Sequence, residues 1–190
     1  MDVEETKVAL LNAAEELFYE RGIQAVGIDE VRSTSGVSLK RLYQLFPAKR
    51  ELVEAYLIRR DGRWRGRLAA YVADHPDDPI AAVFDWLRDW FNEPGFRGCA
   101  FVNSFGELGG VEPGIADVVR AHHDAVREFL AGLVAELDVT DPGELADQLW
   151  VLLVGSSTGA AIASDPAMAD RARSAAKALV KAATSGNPGN

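Results

Sequence analysis

The segment from Gly27 to Lys49 places two short helical patterns on either side of one glycine, and this spacing limits the fold more than any other feature. Gly36 stands where the first helix must stop and turn sharply, a backbone position that favours a residue without Cβ. Ser38 follows as a suitable cap for the next helix. The apolar residues that would hold the two helices at a fixed angle are Ile28, Val31, Val37, Leu42, Leu45 and Phe46.

Polar side chains are left on the outer side of the second of these helices. A helix fits the major groove of B-DNA, where reading requires groups that bond base edges, flanked by groups that bind phosphate. Lys40 and Arg41 can pair with guanine or phosphate, Gln44 with adenine, and the Tyr43 hydroxyl with phosphate. The alternative is that these residues form the solvated face of a short amphipathic helix.

The start of the following helix carries two cations. Lys49 and Arg50 occupy its first turn, where the helix dipole disfavours positive charge by roughly 0.3 to 1 kcal/mol each. Ala48 before them has no capping side chain. A DNA phosphate at this position would be bound by free N–H groups, dipole and cations together. The pattern therefore predicts a phosphate site at Lys49.

Charge is distributed unevenly along the chain. The formal net charge is −9, yet residues 32–67 hold ten Lys and Arg against three acids, whereas residues 68–190 hold eight basic and eighteen acidic side chains. Phosphate would repel most of the protein and attract one region. We expect one end to bind a polyanion and the rest to serve another purpose.

Helical periodicity covers most of the chain. The sequence predicts helices over 6–21, from Ile28, over 38–46, from Lys49 towards Tyr71, and over 99–108, 113–137, 145–163 and 168–183. An Asp-Pro pair is expected to start a helix at each of three places: Asp78-Pro79, Asp141-Pro142 and Asp165-Pro166. No segment alternates apolar and polar residues for long enough to predict a strand, so the fold class is all-α.

Residues 6 to about 56 resemble the DNA-binding domain of TetR-type transcriptional regulators. The resemblance lies in Gly27–Phe46, with Val37-Ser38 opening the third helix, Leu42-Tyr43 in its middle, and Lys49 beyond it. It implies an N-terminal three-helix helix-turn-helix domain joined by a long fourth helix to a helical ligand-binding and dimerisation domain. We therefore expect a DNA-binding domain over 1–48, a regulatory domain over 49–184 and a disordered tail over 185–190. The candidate DNA-binding residues are Thr34, Ser38, Leu39, Lys40, Arg41, Tyr43, Gln44 and Lys49.

The resemblance also implies a homodimer that binds a palindromic, double-stranded operator and releases it when a small molecule fills the C-terminal domain. A short reading helix contacts few base pairs, so affinity calls for two copies about 34 to 36 Å apart. The resemblance implies that the helices over 113–137 and 145–163 pack against the same helices of the second subunit. The predicted contact face is Leu149, Leu152, Leu153, Ser156, Gly159, Ala160 and Ala163; the alternative is that it forms an intrachain core.

Aromatic walls with a few polar groups suit a small apolar or aromatic effector. The candidate pocket residues are Trp86, Trp90, Phe101, Asn103, Phe105, Glu107, His122 and Trp150. The alternative is that the aromatic residues are core and that Asn103 and Glu107 have protein partners. His122 and His123 point in different directions, so we expect no metal site, and no motif calls for a cofactor.

The single cysteine, Cys99, excludes an intramolecular disulfide and suits a reducing cytoplasm. The acidic N-terminal segment is unlike an export signal and no long apolar run is present, so we expect a cytoplasmic protein without membrane insertion.

Two other classes of function compete with DNA binding for this sequence. Gly155-Ser156-Ser157-Thr158-Gly159 matches the G-x-S-x-G motif of esterases, but no histidine follows Ser157 to complete a triad in the required order. We therefore expect no enzyme. A helical protein-interaction module without DNA binding is the second alternative, and salt dependence separates it from a DNA-binding protein.

Overall fold

The computed structural model describes residues 2–185, and within that range every regular element is a helix, which confirms the all-α class. The helices are α1 (Val3–Arg21), α2 (Ile28–Ser35), α3 (Leu39–Leu45), α4 (Lys49–Ala73), α5 (Pro79–Phe91), α6 (Ala100–Leu108), α7 (Pro113–Ala135), α8 (Pro142–Ala163) and α9 (Met168–Ser185).

Acidic caps start several of these helices. Asp2 and Glu5 form a reciprocal capping box at α1, which therefore begins earlier than predicted. The side chains of Asp78 and Asp141 accept the N–H groups of Ala81 and Glu144, as expected for N-caps of α5 and α8.

The third Asp-Pro pair differs from the other two. Asp165 and Pro166 form a turn ahead of α9, which begins at Met168. The Asp165 carboxylate accepts the N–H of Ala167 and binds Arg171. Helix α9 extends to Ser185, so Ser185 is helical although the sequence places it in a disordered tail; residues 186–190 lie outside the described residues.

The chain divides into two compact units. The first comprises Met1–Gly62 and Ala100–His122, and the second comprises Arg63–Cys99 and His123–Asn190. We call them unit 1 and unit 2. Helices α4 and α7 each include residues of both units, since the divisions fall within them after Gly62 and after His122.

Unit 1 has its core where α1, α2, α3 and the first part of α4 meet. Leu10, Val31, Leu42 and Leu57 are fully buried there. The ring of Phe18 packs edge-on against that of Tyr56, with centroids 5.9 Å apart. Burial of this apolar set stabilises the orientation of α2 and α3.

In unit 2, α5, α8 and α9 pack against one another. Helix α8 is long and apolar enough to cross a membrane by length and composition, although no such segment is expected from the sequence, but one side packs in the core. Three residues of the predicted dimer face belong to that core, Leu149, Leu153 and Ala160, and Ser156 is also buried. For these four residues the structure supports the alternative of an intrachain core, because their side chains are buried within the single chain.

Candidate nucleic-acid interface

The turn between α2 and α3 has the geometry that its sequence predicts. Gly36 adopts φ +68° in the left-handed region, and its N–H donates to the carbonyl of Ser33. The Ser38 hydroxyl caps α3 by accepting the N–H of Arg41 at 3.3 Å. Val37 and Leu42 are buried and hold the two helices together. The hairpin is therefore fixed by capping and apolar contacts within unit 1.

Seven of the eight candidate DNA-binding residues lie at the accessible surface of this hairpin. They are Thr34, Ser38, Leu39, Lys40, Tyr43 and Gln44, which are exposed, and Arg41, which is half-buried. The Arg41 guanidinium donates to the Gln44 side-chain oxygen at 3.4 Å, so the two groups that can bond base edges are adjacent on α3. This surface can present donors and acceptors to a groove.

Lys49 is placed differently from the prediction. Its ammonium donates to the carbonyl oxygen of Ile23 and lies 5.7 Å from the centroid of the Phe18 ring. Burial lowers the pKa of Lys49, while the negative charges of Glu107 and Glu30 act in the opposite direction. The side chain therefore packs inward on the turn after α1.

The start of α4 is also capped, although Ala48 has no polar side chain. The Ala48 N–H donates to the carboxylate of Glu51, three residues ahead. Arg50 binds the same carboxylate at 3.2 Å, and more than half of its side chain is exposed. Arg50 is thus the cation of this first turn that lies toward solvent.

Several cations within residues 32–67 are paired with acids, so fewer of them are available to bind phosphate than the sequence suggests. Arg59 and Arg60 bind the two oxygens of Glu15, each at 3.0 Å, and Arg60 also lies 3.9 Å from the centroid of the Tyr19 ring. Arg32 is near Asp29 at 3.5 Å. These cations hold helices together or screen neighbouring acids, whereas the side chains of Lys40, Tyr43 and Gln44 on α3 are exposed.

Two family models match the chain. Residues 10–56 match the bacterial regulatory proteins of the tetR family, and residues 77–176 match the tetracyclin repressor-like C-terminal domain. The chain belongs to the TetR family. The family confirms the predicted function class, a helix-turn-helix, DNA-binding transcriptional regulator, and the chain is not an enzyme.

Individual TetR-type proteins give the same result. The transcriptional activator FasR of Mycolicibacterium smegmatis is 46% identical over 158 residues, which are 80% of this chain and 67% of that protein. The regulator TtgR of Pseudomonas putida is 28% identical over 92 residues, 48% of this chain and 44% of that protein. The crystal structure of a TetR-family regulator from Streptomyces coelicolor superposes with a TM-score of 0.87 at 28% identity, covering 95% of this chain and 90% of that one.

Five of the eight candidate pocket residues of this TetR-family chain lie in unit 1. Phe101 and His122 are buried and stacked on each other, whereas Asn103 and Phe105 are exposed. The Glu107 carboxylate accepts two backbone N–H groups from the turn after α1. The partner that the sequence required for Glu107 is therefore the protein backbone.

The other three lie in unit 2. Trp86 and Trp90 are buried with Trp64, at centroid distances of 4.9 and 5.6 Å, and form an aromatic core. Trp150 is half-buried, with the guanidinium of Arg127 5.6 Å from its ring centroid. The indole N–H of Trp150 is buried and has no hydrogen-bond partner within residues 2–185.

Unit 2 also contains a cleft that the sequence did not reveal. It has a volume of about 430 Å³ and lies between the start of α5 and the second half of α9. Its lining includes Ile80, Leu137, Ala176 and Val180, with Lys177 at the rim. Periodicity assigned these residues to helices but held no information on which helices would meet.

The serine of the esterase-like motif lies within a helix. Ser157 is buried inside α8, and its hydroxyl donates to the carbonyl of Val154 at 3.0 Å. A helical serine bonded in this way is not on a strand-to-helix turn, which the nucleophile requires. Within residues 2–185 no group of three metal-ligating side chains is close enough to hold a metal ion.

Proposed function

We propose that this regulator is a repressor that binds a palindromic operator as a homodimer and releases it when a small apolar or aromatic effector binds its C-terminal domain. The observation that carries the proposal is the exposed face of α3, with Lys40, Arg41, Tyr43 and Gln44 beside a glycine turn inside the matched DNA-binding region. Such a protein acts on DNA in the cytoplasm.

The residues of α3 divide into two roles in this proposal. Arg41 and Gln44 read base edges, because guanidinium and amide groups form bidentate bonds with guanine and adenine. Lys40, Tyr43 and Arg50 bind phosphates and fix the register of the helix on the duplex. Lys49 supports the hairpin from inside through Ile23.

A second copy of the chain is the proposed partner for the exposed side of α8. Val151 is 59% exposed and Ile162 is 82% exposed, and with the exposed Gly155 they follow helical spacing along one face. This stripe is offset from the predicted face, whose larger residues are in the core. Apolar side chains beside a glycine permit close helix packing, and α7 continues the pairing.

The proposed effector site involves Trp150. Among residues 2–185 its buried indole N–H lacks a partner, and an unsatisfied buried donor costs about 1–3 kcal/mol, which a bound acceptor would recover. The neighbouring aromatic core of unit 2, with Trp86 and Trp90, favours an effector with an aromatic or apolar body.

Activation is the second candidate function, because the relative from Mycolicibacterium smegmatis is named a transcriptional activator. Both modes use the same reading surface and differ in the operator's position relative to the promoter. A reporter gene with the operator placed upstream of, or within, the promoter separates them.

Selection of duplexes from a random DNA pool tests the proposal. We expect two inverted half-sites, and a log–log salt slope of roughly −0.9 for each phosphate contacted. Arg41→Ala and Gln44→Ala should each change the selected bases, whereas Arg120→Ala, at an exposed position on α7, should not. Unchanged preference in both α3 variants would assign base reading to another surface. A ligand screen for release then identifies the effector class.

A further inference from the structure

Glu107 connects α6 to the turn that precedes the helix-turn-helix, although it lies outside the matched DNA-binding region of residues 10–56. One carboxylate oxygen accepts the N–H of Ile23 at 3.1 Å, and the other accepts the N–H of Gln24 at 2.7 Å. The Gln24 side-chain amide donates to the carbonyl of Glu107 at 2.6 Å. Three hydrogen bonds therefore join one residue of α6 to two residues of the turn.

A second side chain, that of Lys49, also binds this turn. The ammonium of Lys49 donates to the carbonyl oxygen of Ile23, whose N–H is bound by Glu107. The N–H of Ile23 thus donates to an anion, and its carbonyl oxygen accepts from a cation. Both hydrogen bonds are charge-assisted and therefore stronger than bonds between neutral groups. Ile23 itself is buried, so its backbone cannot move without displacing apolar packing.

The backbone before Ile23 is shaped to admit the carboxylate. Gly22 has φ +87°, a conformation that L side chains rarely adopt, and a Cβ there would lie 3.2 Å from an oxygen of Glu107. A glycine at this position removes both the strain and the crowding. The carboxylate can thus approach two successive N–H groups at the end of α1.

The held turn leads directly into α2. Val26 is buried next to the turn, and Gly27 is the first residue before the helix. Because only three residues lie between Ile23 and Gly27, the position of the turn sets the position of α2. The turn at Gly36 and the buried Leu42 in turn fix α3 relative to α2.

We propose that Glu107 is a positioning residue for DNA recognition, which holds the Ile23–Gln24 turn so that α3 is presented in its reading orientation. The proposal rests on the DNA-reading role given to α3 above. Glu107 touches no base and no phosphate in this role. It acts by fixing the frame from which α2 and α3 extend.

Removing the Glu107 carboxylate should change DNA affinity in two opposite directions, one from the loss of its charge and one from the loss of its positioning role. In an acidic protein, loss of one negative charge in the DNA-binding unit should strengthen binding to any duplex. Loss of positioning should weaken binding to the selected duplex and leave non-specific binding unchanged, because phosphate attraction depends little on the orientation of one helix. The sign of the change therefore separates the two effects.

The experiment compares Glu107→Gln with Glu16→Gln in the full-length chain. Glutamine keeps the shape but presents an NH₂ donor to one of two backbone donors. Glu16 is exposed on α1 and supplies the matched loss of charge. The probes are the duplex that the parent protein selects and a scrambled duplex of equal length. We expect Glu107→Gln to bind the selected duplex about tenfold more weakly than Glu16→Gln does, as for one lost charge-assisted hydrogen bond, whereas the two variants should bind the scrambled duplex equally.

Gln24→Ala is the second variant, since Gln24 is exposed and its loss leaves the core intact. It should give a smaller loss in the same direction, and the amide NMR shifts of Ile23 and Gln24 should change in Glu107→Gln and not in Glu16→Gln. Equal affinity of Glu16→Gln and Glu107→Gln for the selected duplex, or an equal loss for both duplexes, overturns the positioning role. Absence of any selected duplex for the parent protein overturns the proposed function instead.

Discussion

The ring of Phe101 lies parallel to the imidazole of His122, with centroids 3.6 Å apart and planes 6° apart. Phe101 is on α6 and His122 on α7, and the His122 Nδ1 lies 2.7 Å from a carboxylate oxygen of Asp61 on α4. One buried imidazole thus joins three helices of unit 1.

Replacement of His122 should therefore destabilise the protein. His122→Ala removes the stacked ring, leaves a cavity and takes a hydrogen-bond partner from Asp61, so we expect a loss of about 3 kcal/mol in the free energy of unfolding. Urea unfolding followed by circular dichroism measures it. His75→Ala is the control, because His75 is exposed on the surface of unit 2. It stacks on Tyr71 and bonds the Tyr71 carbonyl, but these contacts face solvent, so its loss should change stability by about 1 kcal/mol or less. Equal midpoints for the two variants would contradict a junction role for His122.

Lys49 and Arg50 should have separable effects on DNA binding. Arg50→Ala should reduce the magnitude of the log–log salt slope by about 0.9, because its exposed guanidinium is the proposed phosphate ligand. Lys49→Ala should mainly lower the melting temperature, since its ammonium binds the Ile23 carbonyl. Binding titrations at several salt concentrations, paired with thermal melts, distinguish them. A flattened slope in Lys49→Ala with an unchanged melting temperature would restore the original prediction that Lys49 binds phosphate.

Glu30 should make part of the stability of unit 1 sensitive to acid. The hydrogen bond from Arg21, followed by that from the Gly27 N–H, lowers the pKa of Glu30. A carboxyl whose folded pKa is lowered stabilises the folded state fully above its ordinary value, near 4.5, and loses this contribution as the pH falls through the folded value.

Glu30→Gln should accordingly melt below the parent at about pH 7 and approach it at strongly acidic pH. Melting temperatures measured across this range provide the test. Glu20→Gln, at an exposed position on α1, is the matched control and should follow the parent throughout. If the difference between Glu30→Gln and the parent stays constant down to the lowest pH, the carboxylate bonds of Glu30 do not carry the effect.

The exposed stripe on α8 should decide the oligomeric state. Ile162→Glu places a charge where the proposed dimer buries an apolar side chain, and we expect the dimer dissociation constant to rise at least about tenfold. Sedimentation velocity over a concentration series measures this. Ala178→Glu, on an exposed position of α9, should leave the oligomeric state unchanged. If Ile162→Glu remains as dimeric as the parent, the pairing surface lies elsewhere.

The exposed surface of the α2–α3 hairpin was predictable from the sequence, because it depends on local rules of backbone conformation and helical periodicity. A helix ends at Gly36 and the next begins at Ser38 for reasons of backbone conformation and capping, and both act within a few residues. The exposed positions of Lys40, Tyr43 and Gln44 follow from helical periodicity once Leu42 and Phe46 are assigned to the core. The effector residues were less accessible to this reasoning, since Trp90 in a core and Trp90 in a pocket have the same sequence pattern.

The sequence by itself determined the all-α class, the position of the helix-turn-helix and the identity of its outward side chains, because each depends on neighbours within about one helical turn. Only the tertiary structure decided that Lys49 turns inward to Ile23, that Glu107 holds the same residue from α6, and that Leu149 and Leu153 belong to the core and not to an exposed face. These facts join segments tens of residues apart, and their partners are selected by the packing of whole helices, which no local pattern encodes.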